Sequence, residues 1–184
     1  MEKALIVIDY SNDFVATDGA LTAGEPAQAL DSYIAGLIED FIDQDEYVII
    51  ADDLHVLNDP YHPETELFPP HNLKDSDGRH SYGETGQAVK KYLDHKNLYF
   101  TDKRRYSAFT GTEVDLRLRE RGIKEVWLVG VVTDICILHT AVSAYNLGYQ
   151  IVVPEAGVAS FNEVGHEWAL SHFEGTLGAK VIRK

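Results

Sequence analysis

Short uninterrupted apolar runs alternate along the chain with segments whose apolar residues recur every three or four positions, so strands are predicted to exchange with helices. Residues 4–8 (Ala-Leu-Ile-Val-Ile) are apolar throughout, as expected of a strand covered on both faces. Residues 47–51, 98–101, 126–132, 149–153 and 179–182 read as five more strands. After Pro26, the residues Leu30, Ile34, Leu37, Ile38 and Phe41 fall on one face of a predicted helix. Thr112 and Asp115 resemble a weak capping box for a charged helix around Leu116 and Leu118 that Gly122 can end. Thr133 or Asp134 is expected to cap a helix that runs to Gly148, and a last helix is expected from about Glu163. The alternation predicts an α/β fold: a three-layer α/β/α domain with a mostly parallel six-stranded sheet and helices on both faces. A single domain over 1–184 is expected, since no Pro/Gly/Ser linker or repeat divides the chain.

Residues 53–83 break the pattern. They hold Pro60, Pro63, Pro69 and Pro70 with His55, His62, His71 and His80, and show little periodicity. So long an irregular stretch within a domain usually carries function. It begins where the second strand ends, at the edge where open parallel sheets bind ligands.

Composition narrows the function. With 184 residues, surface scaling leaves about 70% of the open chain's surface buried, enough for a core without structural metal or disulfides. The formal net charge of −14 argues against general binding to nucleic acid or to an anionic membrane surface. No apolar run reaches a membrane span of about 18 residues. The opening Met1-Glu2-Lys3-Ala4 does not look like a secretory signal, and Cys136 is the single cysteine, so a cytoplasmic protein is expected.

Candidate chemistry gathers at the predicted strand ends. Asp9 follows the first strand, Lys103 the third, and Cys136 opens the helix after the fourth. A thiol at a helix N-terminus beside an ammonium is expected to have a lowered pKa, and a carboxylate can take its proton and return it to a leaving amine. Backbone N–H groups of Val132 and Cys136 are the candidate oxyanion donors. Each residue alone also has an ordinary reading: a buried inert thiol, a loop-capping carboxylate, a solvated lysine. A second group is Asp53, His55 and His71, with Glu64 between them in sequence. Residues 53 and 55 point to one side of an extended segment and suit a divalent transition metal. His62 and His80 are weaker ligand candidates, while His95, His139, His166 and His172 fall on helical patterns. Phe14, Phe68 and Tyr106 sit beside these residues and could form a slot for a flat ring, although core packing explains Phe14 and Phe68 as well.

Four blocks resemble the nicotinamidase branch of the isochorismatase-like cysteine hydrolases. They are Ile8-Asp9 through Asn12-Asp13-Phe14; Asp53-Leu54-His55 through Phe68-Pro69-Pro70-His71-Asn72; Lys103 with Tyr106-Ser107-Ala108-Phe109; and Gly130-Val131-Val132-Thr133-Asp134-Ile135-Cys136. The resemblance implies a triad of Asp9, Lys103 and Cys136, and a metal held by Asp53, His55 and His71. It also implies Glu64 as a ligand found in only part of the family, and a cis peptide at Val131–Val132. It further implies hydrolysis of nicotinamide, with pyrazinamide as a second substrate, through a thioester in NAD salvage, and a homo-oligomer. Zn²⁺ is the metal expected first, with Mn²⁺ and Fe²⁺ also suited to the donor set. Ser11 and Leu54 depart from the Gln and Trp that many members carry. Three rival readings remain open: an amidase for N-carbamoyl or ureido compounds, a non-haem iron oxygenase using Asp53, His55 and His71, and a non-catalytic binding protein.

Overall fold

A computed structural model describes residues 2–184. In chain order the elements are β1 (Lys3–Ile8), α1 (Asn12–Val15), α2 (Glu25–Gln28), α3 (Asp31–Asp43), β2 (Tyr47–Asp53), α4 (Gly83–Lys91), β3 (Leu98–Lys103), α5 (Val114–Glu120), β4 (Glu125–Val131), α6 (Leu138–Leu147), β5 (Gln150–Pro154), β6 (Val158–Ala159), α7 (Glu163–Gly175) and β7 (Lys180–Ile182). A single π-turn, Thr133–Ile137, joins β4 to α6.

The sheet runs β3-β2-β1-β4-β5-β7, with β6 pairing β4 off that path. All of these pairings are parallel. The apolar strands alternate between two cores, which is why they show no polar positions. Ala4, Ile6 and Ile8 of β1 enter one cluster with Leu128, Ile137 and Phe173. Leu5 and Val7 enter the other with Ile34, Ile38 and Val129. The expected mostly parallel α/β sheet is present. Only β6, two residues long, is too short to leave a pattern in the sequence.

Four local expectations need correction. The helix predicted after Pro26 is two helices: Pro26 lies in the first turn of α2, and the apolar face belongs mainly to α3. Thr112 builds no capping box: its hydroxyl donates to Ala108 O (2.6 Å) and accepts the Val114 N–H (3.4 Å), but the Asp115 carboxylate turns to Arg119 and Tyr149 instead of back to Thr112. Neither Thr133 nor Asp134 caps α6; Thr133 turns to His166 of α7, and Asp134 to Ser160 and Asn162 just before that helix. His95 lies in the turn between α4 and β3, where its Nδ1 accepts the Asn97 N–H, rather than on a helix. The sequence reading also passed over α4, which has few apolar residues. Among the described residues no helix is long and apolar enough to cross a membrane.

Strand order reverses at β1. From it the chain builds outward to β2 and β3 on one side and to β4 on the other, so the crevice at the C-terminal ends of β1 and β4 is the expected ligand site. At that point Gly130 has φ +116, and a Cβ there would lie 2.0 Å from Ile8 O. Only glycine lets the two strand ends close up in this way.

Candidate active site

Three strands deliver the acid, the amine and the thiol to one spot. Asp9 follows β1 in a left-handed conformation (φ 54), which aspartate tolerates better than most residues. Its Oδ1 accepts the Asp53 N–H at 2.8 Å. Lys103, the last residue of β3, is fully buried. Its Nζ lies 2.7 Å from Asp9 Oδ2, 2.6 Å from Asp53 Oδ1 and 3.8 Å from Cys136 Sγ. Single ligand atoms of Asp9, Asp53 and Cys136 all fall within 4.8 Å of one another. The peptide bond between Val131 and Val132, at the end of β4, is cis. Residues 106–109 are held on α6, where the Ala108 N–H donates to Thr140 Oγ1 and Ser107 Oγ donates to Ser143 Oγ.

Burial sets the electrostatics. It raises Asp9 to about 6, with the Asp53 charge adding and Lys103 opposing. Burial also works against ionisation of Asp53, but the charge and hydrogen bond of Lys103, with the His55 ring beside it, outweigh burial and hold that carboxyl below its usual value. Two carboxylates keep the buried Lys103 ammonium charged despite its desolvation. The thiol departs from the sequence-based expectation. Burial pushes Cys136 well above the ordinary thiol range, and Lys103 offsets this only in part. The expected lowering counted a cation and a helix end but not the loss of water. A proton acceptor beside the thiol is therefore required, and Asp9 is in place.

The second cluster adjoins the first through Asp53. Ligand atoms of Asp53, His55, Glu64 and His71 lie within 4.8 Å of one another, and all four residues are buried. His55 Nε2 is 3.7 Å from Asp53 Oδ2, and His71 Nε2 is 3.7 Å from Glu64 Oε2. Two atoms bound about 2.1 Å from a shared ion at tetrahedral angles stand about 3.4 Å apart, so this spacing suits a metal. Asp53 Oδ2, His55 Nε2 and His71 Nε2 are buried without a hydrogen-bond partner, which is costly unless something binds them. His71 Nδ1 bonds Pro69 O at 2.8 Å, which leaves Nε2 as the free lone pair. Burial and Asp53 raise Glu64 to about 7, and burial lowers His71. A bound cation would favour the ionised Glu64 carboxylate, and neutral His71 is the form that can ligate a metal.

Two of the three candidate aromatic residues border this cluster. The Phe14 and Phe68 rings meet His71 edge-on at 5.1 and 6.3 Å between centroids, and Tyr106 lies 5.1 Å from His139. His80 is largely exposed. His62 is buried against the His55 ring, and its Nδ1 accepts the Glu64 N–H, so it caps the short turn (Pro63–Glu66) that carries Glu64.

An isochorismatase domain model matches residues 3–184. The chain belongs to the isochorismatase family. Among solved members, a nicotinamidase/pyrazinamidase from Bacillus subtilis is 53% identical, with 98% of this chain and 99% of that one covered and a TM-score of 0.96. A pyrazinamidase/nicotinamidase from Streptococcus mutans is 51% identical over 98% and 100% of the chains, also at 0.96. An N-carbamoylsarcosine amidase from Thermoplasma acidophilum is 30% identical over 100% and 96%, with a TM-score of 0.83.

Within this isochorismatase-family site, several supporting residues escaped sequence reasoning. Asn72 accepts the Ser11 hydroxyl (2.8 Å) and the His55 N–H (3.1 Å), and its own N–H donates to Asp13 (2.7 Å). Ser11, a departure from the family pattern, thus ties the β1 end to the loop bearing His71. Arg79 Nε donates to Asp53 O at 2.9 Å and its guanidinium pairs with Asp102. Asp13 and Asn72 stand within the matching blocks and Ser11 stands as a departure from them, but no signal pointed to Arg79.

Proposed function

We propose that this protein hydrolyses nicotinamide to nicotinate and ammonia, and pyrazinamide likewise, with Cys136 as nucleophile, Asp9 as acid and base, and Lys103 as their fixed counter-charge. The reading rests on one observation above all: Asp53 is shared between the buried Lys103–Asp9–Cys136 group and a four-residue donor cluster of metal-binding type. The family membership and the nicotinamidase names of similar proteins support it.

Asp9, ionised at neutral pH, takes the proton of the Cys136 thiol as sulfur adds to the amide carbon. The oxygen of the tetrahedral adduct gains the negative charge, and the N–H groups of Val132 and Cys136 are the proposed donors to it. Asp9 then gives its proton to the amide nitrogen, the C–N bond breaks, and ammonia leaves a thioester on Cys136. Asp9 next takes a proton from water as its oxygen adds to the thioester. The C–S bond breaks, Asp9 returns its proton to sulfur, and the nicotinic acid released loses its proton to solvent or to the departed ammonia to become nicotinate. Lys103 stays charged throughout, neutralising Asp9 and Asp53 and stabilising negative charge that develops on sulfur.

Asp53, His55, His71 and Glu64 would hold one divalent ion, Zn²⁺ first among the candidates, which supplies a Lewis-acidic point able to bind a pyridine nitrogen or a water. Phe14, Phe68 and Tyr106 are proposed to flank the ring. The nicotinate produced would feed NAD salvage.

A second reading, an amidase for N-carbamoyl compounds, draws on the similarity to the Thermoplasma enzyme. The two separate in an ammonia-release assay with nicotinamide, pyrazinamide and an N-carbamoyl amino acid. Release from the two aromatic amides supports the first reading, and release from the carbamoyl compound alone replaces it.

A further inference from the structure

We propose that Asp134 is a positioning residue that locks the turn bearing Cys136 onto the first turn of α7, and so sets the aim of the nucleophile and its neighbouring N–H groups. The catalytic part of the argument rests on the proposed function. The clamp itself is a matter of geometry.

The Thr133–Ile137 segment is a single π-turn, a wide and sparsely used backbone form that recurs at functional sites. The turn is tied back to the end of β4, where the Ile135 and Ile137 N–H groups reach Val132 O at 3.2 and 3.3 Å. Both polar side chains of the turn leave it, Thr133 for α7 and Asp134 for the residues that lead into α7. Thr133 Oγ1 pairs with His166 Nδ1 at 2.8 Å. Asp134 Oδ1 accepts the Ser160 hydroxyl at 2.7 Å, and Oδ2 accepts Asn162 Nδ2 at 3.5 Å. Asn162 is itself the N-cap of α7, its Oδ1 accepting the Gly165 N–H at 3.1 Å. The carboxylate therefore sits at the positive end of a 13-residue helix.

Gly165 makes the approach possible. A Cβ at that position would lie 2.0 Å from Asp134 Oδ2, so any other residue would push the carboxylate off the helix. Asp134 stands two positions before Cys136, so its displacement would shift the turn that orients the thiol. A misplacement of about 1 Å in a reacting group costs on the order of 100-fold in rate.

The test compares Asp134→Ala, Asp134→Asn and Ser160→Ala with the parent protein. It reads kcat and KM for nicotinamide, thermal midpoint, and the rate at which iodoacetamide alkylates Cys136, the single cysteine. Asp134→Ala is expected to lower kcat by roughly 10- to 100-fold with KM within about threefold of the parent. Asn, which keeps an acceptor for Ser160, is expected to recover most of that loss. Should Asp134→Ala not fold, Ser160→Ala carries the test, with an expected fall in kcat of about threefold or more at unchanged KM. If the parent does not release ammonia from nicotinamide, the functional reading fails separately. The clamp is then judged by alkylation, which Asp134→Ala should alter and Asp134→Asn should restore. A lowered thermal midpoint with kcat and alkylation intact would mean that Asp134 only braces α7, and would overturn the proposal.

Discussion

Asp53 divides its carboxylate between two neighbours: Oδ1 sits 2.6 Å from Lys103 Nζ, while Oδ2 faces His55 Nε2 at 3.7 Å. One residue thus belongs both to the buried charge group around Cys136 and to the donor cluster. Removing it should harm both, whereas removing His55 should harm one. Asp53→Asn is expected to lose metal and to change the rate of Cys136 alkylation. His55→Ala is expected to lose metal while the alkylation rate of its metal-free form matches that of the metal-free parent. Metal analysis and alkylation kinetics on the two variants check this, and an equal effect of both on alkylation would contradict it.

Lys103 is a buried cation between two carboxylates. Breaking a buried charge group by removing one partner typically costs about 3–5 kcal/mol. Lys103→Met should therefore lower unfolding free energy by about that much, as well as abolishing measurable turnover. Urea titration gives the number. A loss below about 1 kcal/mol, as for a surface lysine, would show that the group is not closed as described.

Asp9 must be ionised to accept the thiol proton, and burial with the Asp53 charge raises it to about 6. The active form is the deprotonated one, so the rate falls as pH drops through that value. A plot of kcat/KM against pH should be flat above about 7 and fall close to tenfold per unit below about 5. A profile with no acid limb down to pH 5 would remove Asp9 from the role of base.

The cluster of Asp53, His55, Glu64 and His71 predicts one divalent ion per chain. Stripping with a strong chelator should abolish ammonia release, and Zn²⁺, Mn²⁺ or Fe²⁺ should restore it to differing extents. Glu64→Gln should weaken metal retention by about 10- to 100-fold, on the scale seen when a partner of a metal site is lost. Full activity in protein shown to be metal-free would leave the four residues without the proposed role.

What the sequence disclosed, and what it hid, follows physical range. The ends of β1 and β3 were visible because continuous apolar runs stop at Asp9 and near Lys103. Asp53 and His55 stood out through their alternate spacing on an extended segment. The bonding of Asn72 and Asp13, residues quoted only as members of the matching blocks, stayed hidden because it spans 59 to 61 positions, and no local pattern records such a bond. Thr133 and Asp134 were misread for a subtler reason. Hydroxyls and carboxylates at a helix start serve equally well as partners of distant side chains, and here His166 takes Thr133 while Ser160 and Asn162 take Asp134. The Cys136 thiol was expected to be acidic from a nearby lysine, but desolvation at full burial is the larger effect.

The central claim is that the sulfur of Cys136 carries the acyl group during turnover. Rapid acid quenching of metal-loaded protein mixed with excess nicotinamide, followed by peptide mass spectrometry, measures this directly. The account predicts a nicotinoyl group replacing the thiol proton on the peptide containing Cys136, absent from Cys136→Ala, which still binds metal but releases no ammonia. Steady ammonia release by Cys136→Ala would contradict it.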